Sequence, residues 1–145
     1  MVRMALVVAL LGGALAAAAP RLKDRPEPPQ VPEGRWAVEK LEQNGFVRDA
    51  AAMAGHVLVH TKTTSTLESF GRVVATEQIT FGQAGGVRHM DFTGDLFVGV
   101  KRAIWKMEGD TLYICESPPD GERPTEYSAP RGSDRTLWVL KRIKE

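Results

Sequence analysis

From Gly34 onward the apolar residues of this chain come in short runs whose sides alternate, and that period of two constrains the fold more than any other feature. In 72–81, Val74, Thr76, Gln78 and Thr80 alternate with Val73, Ala75, Glu77, Ile79 and Phe81. Successive strand side chains point to opposite faces, whereas a helix repeats its apolar positions every three to four residues. Further strands are expected at 36–41, 56–62, 64–70, 87–92, 96–107, 111–116 and 136–143, separated by Asn44-Gly45, Gly71, Gly85-Gly86, Thr93-Gly94-Asp95 and Glu108-Gly109-Asp110. In 36–41, Trp36, Val38 and Lys40 are assigned to one face and Ala37, Glu39 and Leu41 to the other. One short helix is predicted at 50–53, capped by Asp49 and ended by Gly55. The Pro- and Gly-rich stretch 118–132 reads as a long loop. With about eight strands and no βαβ crossover, the chain is mainly β. An antiparallel up-and-down barrel or strongly curled sheet is expected, with a two-sheet β-sandwich as the alternative.

The first 33 residues follow other rules. Arg3 supplies a positive n-region, 5–15 form an apolar stretch broken by Gly12-Gly13, and Ala14-Leu15-Ala16 has the small-x-small form of a cleavage site. The expectation is a signal peptide over 1–19, a secreted or periplasmic (cell-envelope) location, and no stable membrane span after cleavage, since a spanning helix needs about 20 apolar residues. Five of the nine prolines fall in 20–32, so 20–33 reads as an extended spacer outside the core. The β domain occupies 34–145.

The chain carries 19 Lys and Arg against 18 Asp and Glu, and loss of Arg3 with the leader leaves the charges balanced. Nucleic acid is therefore not an expected partner, because phosphate binding needs an excess of basic side chains. The sole cysteine, Cys115, lies in the apolar run Leu112-Tyr113-Ile114-Cys115 and is read as a buried strand residue. A monomer is expected.

Three C-terminal motifs are distinctive: 109–115 (Gly-Asp-Thr-Leu-Tyr-Ile-Cys), 121–127 (Gly-Glu-Arg-Pro-Thr-Glu-Tyr) and 137–142 (Leu-Trp-Val-Leu-Lys-Arg). In order and spacing they resemble a family of uncharacterised secreted lipocalin-like domains of planctomycete bacteria, and the early Gly34-Arg35-Trp36 fits as well. The resemblance implies a lipocalin-like barrel and assigns no activity. Lipocalins in the wider sense place Gly-x-Trp on the first strand and pack a late Arg across the Trp ring. Gly34, Trp36 and Arg142 resemble that set, which implies closure of the barrel by cation–π contact.

Candidate sites follow from the pattern. A cup lined by Val57, Val59, Phe81, Phe92, Phe97, Ile104 and Trp105 would hold a small apolar molecule or a peptide. Arg123, Pro124, Thr125, Glu126 and Tyr127 read as a loop latch, with Arg123 and Glu126 pairing with each other or capping strand ends. His56 and His60 share a strand face about 13 Å apart, too far for one metal ion. The serines lack a Gly-x-Ser-x-Gly setting and the carboxylates stand singly or at turns, so no catalytic residue, metal or cofactor is assigned and the chain is read as a non-enzyme. A structural or interaction domain with a filled barrel is the alternative to a binding module.

Overall fold

The computed structural model describes residues 31–145; the expected leader, and the spacer up to residue 30, lie outside the described residues. Nine strands follow in chain order: β1 (Gly34–Gln43), β2 (Phe46–Arg48), β3 (His56–His60), β4 (Thr64–Ser69), β5 (Arg72–Ala84), β6 (Val87–Gly94), β7 (Lys101–Glu108), β8 (Thr111–Glu116) and β9 (Thr136–Arg142). All pairings are antiparallel, each strand from β3 to β9 joins the next, and β1 pairs with both β3 and β9. The sheet therefore closes into an eight-stranded up-and-down barrel of lipocalin-like form, and closure leaves only the extra β2 as an edge.

Three local expectations need correction. The segment 50–53 forms one turn rather than a helix: the Met53 amide donates to the Asp49 carbonyl at 3.0 Å and the Ala52 amide to Asp49 Oδ1 at 3.0 Å. The cap is present, but Gly55 and the pairing of His56 follow too soon for a second turn. The strand expected from residue 96 starts at Lys101 because Gly99 takes φ +102°, a conformation in which any side chain would run into Asp120. Asp120 pins this bend by accepting from the Val100 amide at 3.1 Å while its own amide donates to the Val100 carbonyl at 2.8 Å. In β1 the register against β9 shifts between Val38 and Lys40. That bulge reverses the alternation, so Leu41, not Lys40, joins Trp36 and Val38 in the core.

The barrel interior holds Trp36, Met90, Leu112, Ile114 and Leu140, all essentially fully buried. Pro32 is fully buried as well, and its carbonyl accepts from the Trp36 indole at 3.1 Å. The end of the expected spacer thus belongs to the domain, because the indole nitrogen needs a partner once the ring is inside. On the outside, residues 117–135 fold over β7, β8 and β9. They cover a second apolar cluster of Ile104, Cys115, Ala129 and Leu137, with Tyr127 and Val139 packed against it. This is why the last strand is apolar on both faces.

Candidate functional site

Among the described residues the barrel holds a partly open cavity of about 70 Å³. Leu58, Leu67, Ala75, Phe92, Ile114 and Trp138 form its apolar wall. Its polar wall is His60 from β3, Ser65 from β4, Glu77 from β5, Lys101 from β7 and Glu116 from β8. Alternation explains the convergence: in β3 Leu58 and His60 share the inward parity, in β4 Ser65 and Leu67, in β5 Ala75, Glu77 and Ile79.

Lys101 links the two carboxylates. Its Nζ lies 2.7 Å from Glu77 Oε1 and 3.5 Å from Glu116 Oε1, and it sits over the Phe97 and Phe92 rings at 4.8 and 5.3 Å. All three side chains retain only 11–19 % exposure. Burial disfavours the Lys101 ammonium, yet Glu116 and Glu77 outweigh it and hold its pKa above the ordinary lysine value. Burial pushes the Glu116 carboxyl above the usual carboxylate range, Lys101 counteracting and Glu77 adding repulsion. Two carboxylates therefore share one ammonium.

His60 is 2 % exposed, and among the described residues neither ring nitrogen has a hydrogen-bond partner. Burial lowers its pKa to about 4, with a weaker opposing pull from the Pro32 carbonyl, which also receives the Trp36 indole. At neutral pH the ring is uncharged and offers one N–H donor and one lone pair. A buried polar group left without a partner costs roughly 1–3 kcal/mol.

Of the candidate cup residues, only Phe92 lines this space. Phe81 and Trp105 pack edge to face at 6.4 Å in the main core, and Phe97 lies against that core beneath Lys101. Val57 and Val59 take the outward parity, opposite Leu58 and His60. Ile104 lies on the outer face under the long loop, because both faces of β7 are buried there. Ser65, Glu77, Lys101 and Glu116 carried no site assignment in the sequence, and His60 entered only as half of a histidine pair too widely spaced for one metal ion. Their signal was a polar residue at the inward parity of five strands, masked in β3 by Val57-Leu58-Val59, which reads equally well in either phase.

The closure residues meet. The Arg142 guanidinium lies 4.2 Å from the Trp36 ring centroid, across a directly paired position of β1 and β9, and donates to the Glu33 carbonyl at 3.1 Å. Gly34 has φ +122°, and a Cβ there would stand 3.1 Å from Arg142 Nη1, so glycine lets the guanidinium reach its acceptor.

In the loop, Arg123 does not pair with Glu126. It forks onto both oxygens of Asp91 at 2.6 and 3.1 Å and donates to the Ala103 carbonyl at 2.8 Å, while Glu126 faces Arg135 at 3.6 Å. Asp91 is the better partner because a bidentate fork against a half-buried carboxylate fixes both ends. Pro124 is buried, Thr125 exposed, and Tyr127 meets Tyr113 edge to face with Lys106 over both rings. Cys115 is buried, its thiol donating to the Ser128 carbonyl at 3.4 Å.

Among the described residues no group of three or more His, Cys, Asp and Glu is placed to hold a metal ion, and no helix is long and apolar enough to cross a membrane. Compared with known proteins, the chain matches no family model, no curated protein and no solved structure.

Proposed function

We propose that this domain is a non-enzymatic binding module, exported from the cell, that holds a small polar molecule inside the barrel. One observation carries the reading: an internal cavity whose wall includes a buried imidazole with both nitrogens unpartnered, beside a buried carboxylate–ammonium–carboxylate cluster. A core that served only stability would gain from apolar side chains at these positions, since leaving buried polar groups unpaired is costly. Pockets for drug-sized ligands run to roughly 300–1,000 Å³, so about 70 Å³ fits an occupant of a few heavy atoms rather than a lipid or a peptide. The secretory pattern of 1–19 and the resemblance to exported lipocalin-like domains support the location.

Native mass spectrometry of the protein purified from its own source tests both halves. The expected spectrum shows a chain shortened by the leader, with a small co-purifying mass that is lost on unfolding. A clean apo mass, with no thermal shift across small polar compounds, removes the binding reading.

A second reading, a filled barrel that docks on a partner, draws on one feature. Phe46, Phe70, Val73, Val74, Leu96 and Val98 are all more than half exposed and lie in β2 or at the β4–β5 and β6–β7 connections. In an up-and-down barrel the ends following β1, β4 and β6 face the same way, so these side chains share one rim.

A further inference from the structure

We propose that the cavity selects a small organic ammonium ion, a primary alkylamine of a few heavy atoms, by seating its nitrogen against Glu116 and His60. This deepens the binding reading and rests on it.

The sign of the ligand follows from the charges that face the cavity from every surrounding strand. Glu77 on β5, Lys101 on β7 and Glu116 on β8 are ionisable, His60 on β3 is neutral, and β4, β6 and β9 contribute Ser65, Phe92 and Trp138. With both carboxylates ionised, one negative charge stands without a counter-charge in a largely desolvated site. An anion is disfavoured, because Lys101 is already engaged by two carboxylates and screened by Phe92 and Phe97. Lys101 also lies closer to Glu77 than to Glu116, by 2.7 against 3.5 Å, so Glu116, whose other partner is the Trp138 indole, is the carboxylate with lone pairs to spare.

An ammonium group matches the remaining acceptors. It carries three donors, and Glu116, the lone pair of the neutral His60 ring and the Ser65 hydroxyl can receive them. His60 in turn gains the partner that it otherwise lacks. The alkyl part meets Leu58, Leu67, Ala75 and Ile114, with the Trp138 and Phe92 rings beside it. The small volume of about 70 Å³ favours a short primary amine over quaternary and long-chain amines. Binding strengthens with rising pH, because a protonated Glu116 offers the cation no charge.

The test uses the purified protein with methylammonium, ethylammonium, tetramethylammonium, acetate and ethanol, at constant ionic strength and at pH 5 and pH 8. Binding is followed by thermal shift and by nitrogen-15 NMR of the three histidines. Ligands of this size bind in the millimolar range. The expected result is a rise in melting temperature with methylammonium or ethylammonium, larger at pH 8, none with tetramethylammonium or acetate, and a shift of His60 but not of His56 or His89. Glu116→Gln, close to isosteric, is expected to weaken binding about tenfold or more, and its histidine spectrum shows whether the fold is kept. If ethanol or acetate binds as well as the amines, the binding reading survives and the ammonium class is wrong. If nothing in the panel shifts His60 or the melting temperature, both fall, and the cavity is a hydrated polar core.

Discussion

The Arg142 guanidinium stacks on Trp36 at 4.2 Å and joins the last strand of the barrel to the first. A planar cation over an indole, with one donor left for the Glu33 carbonyl, cannot be reproduced by the point charge of lysine. Arg142→Lys is therefore expected to lose about 1–2 kcal/mol, which in a domain of this size lowers the melting temperature by roughly 4–8 °C. Gly34→Ala acts on the same contact from beneath, by straining φ and crowding the guanidinium, and is expected to cost at least as much. Calorimetry of both variants checks this; a wild-type melting temperature for Arg142→Lys means the stack is incidental.

The fork from Arg123 to Asp91 spans 32 residues of sequence and holds the long loop over the outer face of the barrel. Both side chains are partly exposed, at 24 % and 31 %, so solvent screening places the cost of Arg123→Ala nearer 1 than 3 kcal/mol. A double-mutant cycle with Asp91→Asn isolates the pair. Additive losses, with no coupling between the two substitutions, would show that the loop is held by Pro124 and Tyr127 instead.

The barrel was legible in the sequence because hairpins and period-two alternation are local signals, and Trp36 and Arg142 sit at the two ends of the domain where closure must bring them together. What stayed hidden was non-local. The bulge that turns Leu41 inward depends on pairing with β9, and Ile104 looks like a cup residue until residues 117–135 are laid over it. The polar cluster was hidden for the same reason: His60, Glu77, Lys101 and Glu116 are scattered over four strands, and only the shear of the closed sheet brings them to one cavity.

Cys115 lies beneath that loop, and burial raises the pKa of its thiol, with the Ser128 backbone and Arg135 opposing more weakly and nearby carboxylates adding to the shift. A buried thiol that resists ionisation reacts slowly. In the native protein at pH 8 it is expected to resist a thiol reagent such as DTNB, and to react fully in denaturant. Arg123→Ala, by loosening the loop, is expected to accelerate the native reaction. Rapid modification of the wild-type protein would mean that the loop opens freely.

Acid stability singles out His60. Its pKa is about 4 in the folded protein against an ordinary 6.5, so between those values the unfolded chain takes up a proton that the native state refuses. The stability this residue contributes is fully present above 6.5 and is lost as pH falls through 4, up to about 3 kcal/mol for a gap of this size. Glu116 works in the opposite sense: its folded pKa is raised above 4.5, so its contribution is present below 4.5 and is lost as pH rises through the raised value. The two windows overlap above pH 4.5 and partly offset each other in the wild type, and single variants separate them. His60→Leu is expected to flatten the acid-side fall in melting temperature between pH 6.5 and 4. Glu116→Gln is expected to remove the stability that Glu116 gains as pH falls through its raised value towards 4.5, and to leave the acid-side fall steeper than in the wild type. If His60→Leu melts with the same acid-side slope as the wild type, the ring is already charged or hydrated in the native state, and His60 is not the neutral, unpartnered group that the cavity geometry describes.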